Sequence, residues 1–209
     1  NHWMPSDFLK NGAQLMGILN VTPDSFSDGG LYYRADDALE RAHQMLKDGA
    51  SIIDIGGESS RPGSLPVDAD EQLRRVLPAI ESISSSGVDH DVSPLISVDT
   101  TLSRVAQQAV SAGASWVNDI TAGQGDPEMF PVVAQMHVPI ILMHMQGTPR
   151  TMQQSPSYHH VVDEVLAFLE SRIDSAICAG IDEEKILIDP GIGFGKSREH
   201  NLELLNALS

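Results

Sequence analysis

Asn20, Asp54, Asp99, Asn118, His144 and Asp189 share one context: each closes a short apolar run and leads into a loop of Gly, Ser or Pro residues. Carboxylates accept hydrogen bonds from ligand N–H groups, and amides both donate and accept. If the apolar runs are parallel strands, these ends converge on one face, where folds of strand–helix units carry their chemistry.

The elements that must position them can be read from two periods. Near-continuous apolar runs predict strands over Leu15–Asn20, Ser51–Asp54, Leu95–Asp99, Trp116–Asn118, Ile140–His144 and Lys185–Asp189, the pattern of strands buried on both faces of a parallel sheet. Between them the helical period takes over. Ala35, Leu39, Ala42 and Leu46 fall on one side, with Gly49 as the stop. Leu73, Val76, Leu77, Ile80 and Ile83 form a second stripe, in which Pro78 predicts a kink or a late start. Val105, Ala109 and Val110 mark a third helix, and a short fourth runs from about Pro127 to Met136. Val161, Val165, Leu169, Ile173 and Ile177 mark a long fifth, and a sixth begins near His200. The echo between Gly49-Ala50-Ser51-Ile52-Ile53-Asp54 and Gly113-Ala114-Ser115-Trp116-Val117-Asn118 supports a repeated unit. Six such units favour a (β/α) barrel over a doubly wound sheet.

With 209 residues and 41% hydrophobic content, the chain can bury one sizeable core, and no linker divides it. A formal charge of −16 argues against a nucleic-acid groove, which needs clustered Lys and Arg. No apolar run approaches the roughly 20 residues of a membrane span, and no signal-peptide pattern opens the chain, so a soluble intracellular protein is expected. Cys178 falls on the apolar side of the fifth helix and reads as a buried thiol. Pro190–Ser197 nearly spells a phosphate-binding G-x-x-x-x-G-K-[ST] loop, but Pro190 occupies the first glycine position. His159 and His160 are adjacent and lack the spacing of a zinc site.

Two loops are long for βα connections and read as binding loops: Val21-Thr22-Pro23-Asp24-Ser25-Phe26-Ser27-Asp28-Gly29-Gly30 and Ile55-Gly56-Gly57-Glu58-Ser59-Ser60-Arg61-Pro62-Gly63-Ser64. With Ile96-Ser97-Val98-Asp99-Thr100, Val117-Asn118-Asp119-Ile120, Leu142-Met143-His144-Met145-Gln146-Gly147 and Ile188-Asp189-Pro190-Gly191-Ile192-Gly193-Phe194-Gly195-Lys196, they closely resemble the dihydropteroate synthases, in order and over nearly the whole chain. The resemblance implies an α/β fold, a TIM (β/α)8 barrel with about six βα units present, in a single pterin-binding domain over residues 1–209. It implies a Mg²⁺-dependent transferase of folate biosynthesis, joining 4-aminobenzoate to 6-hydroxymethyl-7,8-dihydropterin diphosphate with release of pyrophosphate. A cytoplasmic homodimer that is a sulfonamide target is implied with it, and neither nucleic acid nor membrane is a partner.

By the same resemblance, the pterin contacts are Asp99, Asn118, Ile120, Met143, Asp189, Gly193 and Phe194, with Asp54 supporting the pocket. Asn20 is the metal and diphosphate ligand and Asp28 helps order the metal. Arg61 and Ser60 meet the diphosphate; Phe26 and Pro62 border the aminobenzoate ring. Asn20, Arg61 and Asp28 are thus the expected catalytic set, while His144 is placed to line the barrel mouth. The sequence stops within the sixth helix, whereas eight units take about 250 residues. A natural chain longer by two units is therefore expected, those units carrying the family's late pterin-contacting lysine and its Arg-x-His anion site. The rival readings are a pterin-binding methyltransferase domain and a non-catalytic pterin-binding protein.

Overall fold

A computed structural model describes residues 12–22, 31–59, 63–86 and 94–208. Strand and helix alternate throughout: β1 (Leu15–Asn20), α1 (Leu31–Lys47), β2 (Ala50–Gly56), α2 (Ala69–Ser85), β3 (Leu95–Asp99), α3 (Ser103–Ser111), β4 (Trp116–Asp119), α4 (Met129–Met136), β5 (Ile140–Met143), α5 (Val161–Cys178), β6 (Ile186–Asp189) and α6 (Arg198–Ala207). The six strands are parallel and lie in sequence order, β1 to β6. A doubly wound sheet reverses its order at a switch point, and this one does not. The order is that of a TIM barrel, of which the described residues form six βα units.

Alternation along each strand separates two layers. Ile53, Ile55, Ile96, Val98, Val117, Ile140 and Leu142 face the helices and pack with Ala38, Ala42, Val76, Ile80, Val105 and Val133. Their neighbours face the other way: Ile52, Trp116 and Ile141 cluster with Met16, Leu95 and Leu187 to floor the concave side. Above that floor the inner positions turn polar. Side chains of the two outermost strands are less covered than the expected two-sided burial: Ile18 is 66% exposed on β1 and Ile188 51% on β6. Among the described residues each of these strands pairs on one side only.

Several local expectations need correction. The second helix starts at Ala69, well before Pro78, because the Asp68 side chain caps it by accepting from Glu71 N at 2.9 Å. The fifth strand ends at Met143, leaving His144 in the loop, and Lys185 belongs to a short 3₁₀ turn, Glu183–Lys185. Cys178 is exposed. The contact face of α5 ends on buried Ala176, two residues away and so about 200° around the helix, and Ile177 is likewise 41% exposed.

Candidate functional site

One hydrogen-bonding row of the sheet brings the predicted residues together. Asn20 pairs in register with Gly56, Gly56 with Asp99, and Asp99 with Asn118. One pleat lower lie Asp54 and Ser97, themselves in register, and Asp189 pairs with Met143 at the end of the last two strands. Residues 20, 54, 99, 118 and 189, scattered along the sequence, therefore meet at the C-terminal ends of the strands. Gly56 keeps two of them close: a Cβ there would lie 3.3 Å from both Asn20 Oδ1 and Asp99 Oδ2. The missing side chain leaves a gap between two hard oxygen atoms.

The carboxyls beneath the rim are held in an environment that resists charge. Asp54 is buried and accepts a 2.9 Å hydrogen bond from Asn118 Nδ2. Its other oxygen, Oδ1, and the adjacent Ser97 Oγ lack well-formed hydrogen bonds. Burial raises the Asp54 pKa, and the nearness of Ser97 and Asn118 offsets this only in part. Asp99 is raised well beyond the usual carboxylate range, by burial first and then by the charges of Asp54, Asp119 and Glu58. Because a carboxylate only accepts, Asp54 also dictates the orientation of the Asn118 amide: its NH₂ points down, and its carbonyl is left for a ligand.

Other predicted residues line the same region. Ile120 and Asp99 border a small recess shared with Glu58, Gln72, Thr100 and Thr101. Met143 is buried, Phe194 is half-buried, and Gly193 adopts φ +87° with open space where a Cβ would point. Asp189 Oδ1 accepts from Gly191 N at 2.7 Å. Phe26, Asp28, Ser60, Arg61 and Pro62 lie outside the described residues. Among the described residues no group of three His, Cys, Asp or Glu side chains is arranged to hold a metal ion. A cleft of 480 Å³ runs along β1 and α1 and touches the rim at Asn20.

Sequence reasoning missed a polar bridge from the second loop to the third strand. Gln72 Nε2 donates to Glu58 Oε2 at 2.9 Å and to Val67 O at 3.0 Å, while Thr100 Oγ1 donates to Gln72 Oε1 at 2.8 Å. A signal existed: Gln72 stands four residues before Val76, on the apolar stripe of α2, where a polar residue needs a buried partner. Lys196 was read only as part of a failed phosphate loop, yet it is buried and fully engaged.

Comparison with known proteins gives a consistent picture. Residues 16–209 match the family described as pterin binding enzyme. The chain is 45% identical over 196 residues to the dihydropteroate synthase of Haemophilus influenzae, covering 94% of this chain and 69% of that protein. It is 48% identical over 199 residues to the folic acid synthesis protein fol1 of Schizosaccharomyces pombe, covering 95% of this chain and 26% of that one. Among solved structures, the dihydropteroate synthase of Xanthomonas albilineans with 4-aminobenzoic acid superposes with a TM-score of 0.83 at 45% identity, over 93% of this chain and 67% of that one. This chain thus spans about two thirds of the bacterial relatives and about a quarter of the fungal protein.

Proposed function

The chain belongs to the pterin-binding enzymes, and among them to the dihydropteroate synthases, and from this we propose that it joins 4-aminobenzoate to 6-hydroxymethyl-7,8-dihydropterin diphosphate. The observation that carries the reading is the single row of Asn20, Gly56, Asp99 and Asn118, with Asp54 beneath and Asp189 beside it. A pterin presents an aminopyrimidinone edge of N–H donors next to ring-nitrogen and carbonyl acceptors. Asp189 and the Asn118 carbonyl suit the donors. Asp99, favoured in its neutral form by burial, can itself donate to a ring nitrogen. Ile120, Met143 and Phe194 pack near the ring, and the bare backbone at Gly193 allows close approach.

The reaction is a displacement at the exocyclic methylene carbon. The carbon–oxygen bond to the diphosphate breaks with its electron pair leaving on oxygen, the arylamine nitrogen bonds to the same carbon, and the nitrogen loses one proton. The electron-rich dihydropterin supports positive charge on that carbon, and a neutral aniline needs no strong base. Positioning and electrostatic stabilisation therefore carry the rate. Arg61 meets the departing diphosphate with its forked guanidinium, Ser60 donates beside it, and Phe26 and Pro62 border the aminobenzoate and exclude water. Asn20, whose Oδ1 is a hard oxygen at the rim, would hold a Mg²⁺ ion together with Asp28 and the substrate phosphates. When bound, the ion would neutralise charge on the diphosphate oxygens. The same reading makes the protein a cytoplasmic homodimer.

Incubation with both substrates and Mg²⁺ should release pyrophosphate and dihydropteroate in equal amounts. A methyltransferase domain or a non-catalytic binder would release neither. Asp189→Ala should abolish pterin binding in calorimetry, and normal affinity in that variant would overturn the assignment.

A further inference from the structure

We propose that Lys196 is a positioning residue for the pterin site: its ammonium, buried beneath the β6–α6 loop, ties that loop to the end of β5 and so fixes Asp189, Gly193 and Phe194 as one wall of the pocket. The inference rests on the functional reading above and extends it to a residue that touches no substrate.

Lys196 is 3% exposed, and its Nζ faces inward. Its three N–H donors are shared among four acceptor atoms, Gly191 O and Phe194 O at 2.9 Å each, His144 Nδ1 at 3.0 Å and His144 O at 3.2 Å. Two of these acceptors belong to the loop and two to the residue after β5, so one cation spans both segments. An ammonium cannot accept, so His144 must offer a lone pair at Nδ1, which requires neutral imidazole. Burial, and then the charge of Lys196, pushes the His144 pKa down to about 4, consistent with that state.

The loop has little freedom left once this tie is made. Gly191 packs so closely that a Cβ would overlap His144 O, and its N–H donates to Asp189 Oδ1 at 2.7 Å. Gly193 is held through its carbonyl by Gln153 Nε2 at 2.7 Å and through its N–H by Asn201 Oδ1 at 2.8 Å. Tyr158 Oη donates to Gly195 O at 2.7 Å. A compact point charge with rotatable donors can serve carbonyls converging from several directions; the planar fork of Arg cannot. Burial brings the Lys196 pKa down to about 8, partly countered by the Asp189 carboxylate. Such a burial is tolerated where every donor finds an acceptor.

The test compares wild type with Lys196→Met and Tyr158→Phe. Calorimetry with 6-hydroxymethyl-7,8-dihydropterin diphosphate should give a Kd raised tenfold or more in the first and about threefold in the second. The aminobenzoate KM should stay within twofold of wild type, a split that general destabilisation does not produce. Amide hydrogen exchange without ligand should be at least tenfold faster at Gly191, Gly193 and Gly195 in Lys196→Met. If that variant does not fold, Tyr158→Phe decides by the same readings. Pterin affinity within a factor of 1.5 of wild type in the folded variants, or unchanged exchange, overturns the proposal. Wild-type protein that binds no pterin would instead sink the functional reading, and the exchange measurement would still judge the anchor.

Discussion

Replacing Asp54 by Asn separates what this group does for stability from what it does for binding. The substitution keeps an oxygen to accept from Asn118 Nδ2. It exchanges a charge-assisted hydrogen bond of about 1.5–3 kcal/mol for a neutral one of about 0.5–1.5 kcal/mol, a loss of roughly 1 kcal/mol. Against this, the burial penalty that raises the Asp54 pKa disappears. The new NH₂ also faces Ser97 Oγ, which lacks a partner of good geometry. Asp54→Asn should therefore be at least as stable as wild type at pH 7.

The sign of the pH dependence follows from the raised pKa. As pH falls through the folded value towards 3.8, the native state takes up a proton before the unfolded chain does, so this group makes wild type more stable with acidification. Asp99 acts in the same sense, so the variant should keep that slope reduced by one group. Binding should move the other way. An Asn at 54 can donate or accept, so the Asn118 amide is free to turn over, and pterin affinity should fall about tenfold, or roughly 1.4 kcal/mol. Urea denaturation between pH 4 and 8, with calorimetry at pH 7, measures both. A variant more than about 1 kcal/mol less stable than wild type at pH 7, or one with undiminished pterin affinity, would refute the reasoning.

Two further perturbations probe the rim and its support. Gly56→Ala places a methyl 3.3 Å from Asn20 Oδ1 and Asp99 Oδ2; with no strained φ at that position, stability should change by less than about 1 kcal/mol, while the spread oxygens lower kcat at least tenfold. Wild-type turnover in that variant would show that the gap is not used. His144 has its folded pKa lowered from 6.5 to about 4, so the unfolded chain binds a proton that the native state refuses across that window. Its contribution is complete above pH 6.5 and is lost as pH falls towards 4, by about 1–3 kcal/mol. Subtracting the His144→Gln pH profile from that of wild type isolates this fall from the opposite trend of the buried acids, and identical profiles would exclude it.

The alternation of strand and helix, and the polar strand ends, could be read from the chain because burial imposes a period and loops impose composition. Asn20, Asp99 and Asn118 were identifiable for this reason, since each ends an apolar run. Gln72 was not identified, although it interrupts an apolar stripe, because its partners Glu58 and Thr100 come from other elements. Nor could the bond between Asn118 and Asp54 be anticipated, for it joins residues 64 positions apart across an intervening strand. Cys178 shows the limit of periodicity in the other direction. Near a helix end a turn of one residue in the contact face moves a side chain from core to solvent, and small Ala176 made the last buried contact.

The electrostatics of the rim bear on how, under the proposed function, one site would read a neutral ring and an anionic tail. Burial raises the Asp54 and Asp99 pKa values, and the charges of Asp54, Asp119 and Glu58 raise Asp99 further, so this side disfavours added negative charge. Under the proposed function a diphosphate would gain nothing there and would have to be met elsewhere, the part proposed for Arg61 and for a metal at Asn20. In that reading the two ends of the substrate are sorted by charge before any contact is perfected. Reversing the ligand would set phosphate oxygens against buried acids, an arrangement whose like-charge cost exceeds any single hydrogen bond it could make. Lys196, the buried cation of this region, lies under the loop with its donors committed to backbone carbonyls and His144. Its charge supports the wall of the pocket without offering the tail a competing place to bind.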